Sequence, residues 1–314
     1  MEQSDPNKEI GYSVRLARNF IYLAHKEAEL EYSVKAHERS PYEGELGNIP
    51  TVWNAGLFRY LDECVSLLNS VEFALLMRQA ADNGDASRWA LITLFGQIKS
   101  NCVAIRVIAN HGLDDQARIL LRSLFENCTA LSRAIIDSEF RANFHAASSP
   151  KESNHFWHGY MAKGKTIAYL TRHNEISTKK CPLVMGDLFD NMLTVIGVQA
   201  HPNYLYSSFN WSRRWSDQSA QHTIASNHAA ASELVLSSVC QLVLTTIVFV
   251  GMFGQELGAK AACEIPDAPD SILTRSKTAD VVIERVGKIA GIMSLMLMKW
   301  VNRQRPDFDP QKHL

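Results

Sequence analysis

An excess of either charge is missing from this sequence: 32 lysines and arginines face 33 aspartates and glutamates. A chain so balanced carries no global field that would draw it onto nucleic acid or an anionic membrane, and any such binding has to come from a local patch. Close cysteine pairs are missing too. Cys64, Cys102, Cys128, Cys181, Cys240 and Cys263 are never nearer than 23 residues to one another, a spacing that offers neither a zinc knuckle nor a redox pair. Period-two alternation with β-branched enrichment, the mark of half-buried strands, is nearly absent. So are the compact signatures of common enzymes: no phosphate-binding glycine loop, dinucleotide fingerprint, HExxH helix, nucleophile elbow or calcium loop occurs. No cofactor and no metal is expected from motifs. Met1 to Lys8 is polar and acidic where a secretory signal would be basic and then apolar. The expectation is a cytoplasmic protein with reduced thiols.

One stretch lacks charge altogether. From Leu234 to Gln255 there are 22 consecutive uncharged residues, long enough to cross a bilayer. Ser237, Ser238, Gln241 and Thr245 nevertheless fall on one narrow arc at 100° per residue, and neither flank concentrates lysine or arginine. A polar stripe finds partners in a helical core and none in lipid, so a buried core helix is expected and no membrane partner.

What is present is helical periodicity. Hydrophobic residues make up 46% of the chain and charged residues 21%, within the globular range, and apolar positions recur at steps of three and four. The fold class is all-α, a bundle of about eight or nine helices. They are expected at 8–38, 51–82, 86–110, 114–136, 139–147, 151–174, 183–199, 226–257 and 277–303, with Asp85 or Ser87 capping the third and Asp114 the fourth. The chain divides into three regions: residues 1–50, a long helix and loop; 51–257, the main bundle; and 258–314, a linker holding Pro266 and Pro269 and a last helix packed on the bundle. The charge-rich first helix is suited to lie on the bundle or to pair with a second copy of the chain.

Within 114–136, Arg118, Arg122, Glu126, Thr129 and Arg133 lie within about 80° of one another on a helical wheel, beside an apolar arc of Ala117, Leu121, Leu124, Cys128 and Leu131. Such a stripe is either a solvated face with an Arg122–Glu126 pair one turn apart, or a row of guanidinium groups turned into a cleft to receive phosphate. His155 and His158 share a face, but two ligands do not make a zinc site. An arginine four to six intervening residues before a histidine, the pattern of HEPN-type helical ribonucleases, occurs twice, at Arg18–His25 and Arg106–His111. With 18 arginines and 11 histidines in 314 positions, about two matches arise by chance, so the pattern carries no signal.

The run Gln116-Ala117-Arg118-Ile119-Leu120-Leu121-Arg122-Ser123-Leu124-Phe125-Glu126, with Gly197-Val198-Gln199-Ala200-His201-Pro202 later and Phe156-Trp157-His158-Gly159 between, resembles a large family of mostly bacterial helical proteins known only as a domain of unknown function. The likeness spans roughly residues 86–255. It implies a helical core in which Arg122, Glu126 and His201 converge; Gly197 stands where a serine would be expected. The expected function is an RNA- or nucleotide-acting effector of the phage-defence or toxin kind. Arg122, Glu126 and His201 are its catalytic candidates, Arg118 and Arg133 its phosphate-binding candidates, and RNA or a nucleotide its partner. Histidine titrates near neutral pH and arginine stabilises developing phosphate charge without a metal. The alternative is a non-catalytic helical scaffold whose stripe is a buried network.

Overall fold

The computed structural model describes residues 6–28, 52–81, 88–110, 113–176, 229–253 and 270–304, and among them the protein is all-α, with no strand. In chain order the helices are α1 (Pro6–Glu27), α2 (Val52–Ala81), α3 (Arg88–Asn110), α4 (Asp114–Ile136), α5 (Ser138–Ala146), α6 (Pro150–Phe156), α7 (Lys165–Ile176), α8 (Ala229–Phe253) and α9 (Asp270–Gln304). A π-helical turn, Trp157–Met161, and a 3-10 turn, Ala162–Gly164, join α6 to α7.

The uncharged run lies at the centre. α8 packs against α9, α2 and α4; α3 lies on α4 and α2; α1 lies on α2 and α9; α5 and α7 sit against α4. Val235, Leu236, Val239, Cys240, Leu242, Val243, Leu244 and Ile247 on α8 are fully buried. Enclosure on several sides explains why α8 carries no charge over its buried span. Two of its polar groups find partners inside: Gln241 Nε2 donates to Ser294 Oγ of α9 at 2.7 Å, and Thr246 Oγ1 donates to Leu242 O at 2.9 Å. Both α8 and α3 are long and apolar enough to cross a membrane by length and composition alone; two thirds of the span Val235–Phe253 is buried inside the bundle.

The α8–α9 crossing is set by glycine. A Cβ placed on Gly251 would meet the Cα of Gly287 at 2.7 Å, and one on Gly287 would meet the Cα of Gly251 at 2.8 Å. The two backbones touch there. Gly291, one turn beyond Gly287, would meet only Val248 Cγ2 at 3.8 Å, an ordinary contact.

Several helix limits differ from those expected. The expected single helix 151–174 is broken: Lys163 adopts φ 57° and Gly164 φ 70°, and these two left-handed residues turn the chain between the π turn and α7. Asp114 does not cap α4, because the capping position is Leu113, which has no side-chain oxygen. Asp137 caps α5 instead, its Oδ1 accepting from Phe140 N at 2.9 Å. Ser149 and Glu152 form a reciprocal capping box at α6, with Pro150 in the first turn. Hydrogen bonds from Ser149 and Ser148 hold the Glu152 carboxyl below its ordinary value. The expected segments 29–38 and 183–199, and the caps Asp85 and Ser87, lie outside the described residues.

Cys64, Cys102, Cys128 and Cys240 are buried free thiols in the bundle. Burial pushes the Cys128 thiol up to about 12 and raises those of Cys64 and Cys102 well above their ordinary value. Such thiols are packing residues, inert as nucleophiles.

The glycine contact predicts a sharp contrast between neighbours. Gly251→Ala forces the α8 and α9 backbones apart and is expected to cost about 1–3 kcal/mol, as overpacked cores do. Gly291→Ala has room, relieves backbone entropy in the unfolded chain and should gain about 0.5–1 kcal/mol. Urea melts followed by circular dichroism measure both; equal effects would contradict the crossing.

Candidate functional site

The polar stripe of α4 divides into three parts. Arg118 and Arg133 are only 4% and 8% exposed, and Thr129 is buried. Between them Arg122 and Glu126 remain at the surface, with side chains 47% and 33% exposed and Arg122 Nε donating to Glu126 Oε1 at 3.3 Å. At the C-terminal end Arg133 is held on several sides: Nε donates to Asp137 Oδ2 at 3.0 Å, Nη1 donates to Tyr160 O at 3.3 Å, and the guanidinium lies 4.2 Å from the Tyr169 ring centroid, 4.9 Å from that of Phe140 and 5.1 Å from that of Tyr160. A guanidinium that is stacked and paired in this way joins helices. Arg141 repeats the theme, donating from Nη1 to Ala134 O at 2.7 Å.

Beside this clamp lies a cleft of about 470 Å³. Its walls come from residues at helical spacing. Ala90, Thr93, Leu94 and Gln97 occupy one face of α3, Glu126, Asn127 and Ala130 one face of α4, and Phe144 and His145 the end of α5. The fourth side is formed by Ser153, Phe156, Trp157 and Met161. Small residues make the space, since Ala90, Ala130 and Ala147 stand where larger side chains would fill it. Phe140, Phe144, Phe156 and Tyr160 pack edge to face or stacked at centroid separations of 5.0 to 5.6 Å and hold that side in place.

The π turn orients the last wall. Ala162 N–H reaches back five residues to Trp157 O, one residue further than in an α-helix. The extra residue rotates the succeeding turn relative to α6, leaving the Trp157 indole 38% exposed on the cleft while Tyr160 turns inward. Tyr160 donates to Glu139 Oε1 at 3.1 Å and accepts from Asn143 Nδ2 at 2.8 Å, and Thr166 Oγ1 donates to Tyr160 O at 2.8 Å. Burial, then the Glu139 contact, raises the Tyr160 phenol above its ordinary value, so it stays protonated. Turns of this kind are rare and recur at functional sites.

Electrostatically the cleft is one-sided. Among the described residues that line it, Glu126 alone carries a fixed charge, His145 is the other titratable group, and no lysine or arginine contributes. Polar capacity comes from Gln97, Asn127, Thr93 and Ser153. Among the described residues no three His, Cys, Asp or Glu side chains come together to hold a metal, and His155 and His158 are exposed.

Of the five candidates read from sequence, Arg122 and Glu126 come together, Arg118 and Arg133 are buried to either side, and His201 lies outside the described residues. The two chance arginine–histidine matches are occupied with helix packing where they are described. His25 Nε2 meets Glu63 Oε1 at 2.8 Å, and Arg106 grips Asp62 at 2.6 and 3.2 Å beneath the Phe58 ring. Sequence reasoning missed Gln97, Asn127 and His145, which no local motif marks. Trp157 was within reach through the Phe156-Trp157-His158-Gly159 segment. No family model matches the chain, and no curated protein or solved structure is similar to it.

The two halves of the stripe differ in what their loss costs. Arg133→Ala leaves the buried Asp137 carboxylate without its cationic partner and is expected to destabilise the protein by about 3–5 kcal/mol. Glu126→Ala removes one partner of a half-exposed pair and should cost about 0–1 kcal/mol. Thermal and urea melts resolve that gap, and comparable losses at both positions would contradict the division.

Proposed function

We propose that this helical protein binds a nucleotide, free or at the end of an RNA chain, with the base in the cleft and the phosphate at Arg122. The observation that carries the reading is the Arg122–Glu126 pair: Glu126 lines the cleft, and Arg122, one helical turn away, presents a half-exposed guanidinium beside it. A volume of about 470 Å³ falls within the usual range for small-ligand sites, which combine apolar walls with a few convergent polar groups. Trp157 offers the flat face on which bases stack. Arginine matches phosphate with parallel N–H donors, and an anion competes there with a surface carboxylate rather than a buried one.

Chemistry on such a ligand needs an acid–base group near neutral pH. His145 lines the cleft; His201, assigned that part from sequence, is outside the described residues. A second reading, a non-catalytic scaffold, is favoured by the buried ends of the stripe, where Arg133 is paired with Asp137. The two readings differ on whether the exposed middle of the stripe touches a ligand.

Isothermal titration with the four nucleoside 5′-monophosphates and a short single-stranded RNA separates them. Arg122→Ala should weaken every ligand by a similar factor, about tenfold, and flatten the salt dependence by about one ion, because phosphate contacts are blind to the base. Binding indifferent to Arg122 would place the phosphate elsewhere. No binding at all would leave the scaffold.

A further inference from the structure

We infer that the cleft selects guanine, with the Glu126 carboxylate accepting from two adjacent N–H groups on the base's pairing edge and Trp157 covering its face. The inference rests on the nucleotide reading above and adds the identity of the base. It starts from the charge of the walls. A cleft whose described lining holds one carboxylate, one imidazole and no lysine or arginine disfavours an anionic group inside it, so a phosphate stays outside and the part that enters is neutral and rich in donors.

An ionised carboxylate accepts and never donates. Offered the pairing edges of the four bases, it meets different patterns. Guanine presents N1–H and the N2 amino group side by side, two donors at the spacing of two carboxylate oxygens. Adenine presents the N6 amino group beside the N1 lone pair, and cytosine its N4 amino group beside the N3 lone pair; in each the second carboxylate oxygen faces a lone pair. Uracil presents N3–H between two carbonyl oxygens, both repelled by the carboxylate. Guanine alone satisfies both oxygens, and mismatched polar groups in a partly enclosed site are costly.

The rest of the lining fits the same base. Guanine's O6 is an acceptor next to N1–H, and Gln97 on α3 and Asn127 on α4, the latter adjacent to Glu126, bring amide donors to the same cleft. Trp157, Phe144 and Phe156 supply the apolar and aromatic surface that a bicyclic purine needs more than a pyrimidine does. Arg122 donates to Glu126 Oε1 through Nε at 3.3 Å, a contact that aims the carboxylate from its own helix.

The test is isothermal titration of the full chain with the 5′-monophosphates of guanosine, inosine, adenosine, cytidine and uridine, together with two pentaribonucleotides, one all uridine and one with four uridines ending in guanosine. Guanosine monophosphate is expected to bind at least about tenfold more tightly than the other three standard nucleotides. Inosine monophosphate, which keeps N1–H and lacks the N2 amino group, should lose about tenfold. Glu126→Gln, similar in shape and at a half-exposed position, should melt like the parent protein and bind the four bases with nearly equal affinity. Trp157→Ala should weaken all of them about tenfold and leave the order unchanged. Either the free nucleotide or the guanosine-ended chain binding the tighter supports the inference, and the comparison tells the two sources apart. If the nucleotides bind without preference, or if the guanine preference survives Glu126→Gln, the inference is overturned while the nucleotide reading stands. If none binds, the nucleotide reading falls and this one with it.

Discussion

The cleft depends on one buried ionic contact, Arg133 with Asp137. Both side chains are about nine-tenths buried, and a charge so placed is tolerable only when its hydrogen-bonding capacity is met. Asp137 meets it twice, gripping Arg133 with one oxygen and capping α5 with the other. The turn from α4 to α5 is thereby fixed at a residue that belongs to neither helix. Arg133 passes the constraint on, because its guanidinium also holds the carbonyl of Tyr160 in the π turn and stacks on Tyr169 of α7. Four elements converge on a single planar cation. Lysine would not substitute, since an ammonium has no flat face to stack and no fork to bridge carboxylate and carbonyl together.

A second constraint works where α8 packs on α4. α8 carries no charge over its buried span and is surrounded, so its register cannot be set by an amphipathic boundary as that of a surface helix is. Two devices replace that boundary. The Gly251–Gly287 backbone contact allows one close approach of α8 to α9, and the Gln241–Ser294 hydrogen bond gives the crossing a polar address among apolar neighbours. Sliding α8 by one turn would separate both pairs at once. α4 therefore rests on a fixed support, and the exposed face it turns toward the cleft inherits that rigidity.

The legibility of each feature in the sequence depends on whether its cause is local. Helix class and most helix positions were legible because burial repeats every three or four residues: 114–136 and 51–82 were placed to within one residue of α4 and α2. α8 is packed inside the bundle, where the polar arc that the sequence shows finds at least one partner across the helix interface, Ser294 for Gln241. The break after α6 was not, because a π turn is one added residue in an otherwise regular pattern and leaves the apolar period nearly intact. The α4 stripe was visible as a set of angles, and Asp137 stands one turn from Arg133, whereas its division into buried ends and an exposed middle depends on what crosses α4, and no helical wheel reveals Tyr160 and Tyr169 as its partners. The cleft was the least legible. Its walls run from Ala90 to Met161 across four helices and a turn, and small residues matter there for the volume they leave empty.

The two readings of the stripe, frame and proposed site, are physically compatible because each uses a different property of arginine. Buried, the guanidinium is a rigid plane with fixed donors, and its value lies in the number of elements it holds at once. Half-exposed, it is a charge that pairs with a neighbouring carboxylate without enclosing it. A helix carrying both kinds on one arc places a solvent-facing charge pair over a locked foundation, so the pair keeps its position relative to the cleft walls even though the pair itself adds little to stability. Preorganisation of that sort is what a binding site requires, because a side chain held in place before the ligand arrives loses less conformational freedom when it binds. In the proposed site, the frame is the physical reason that Glu126, a surface residue by exposure, would be held as an interior one is.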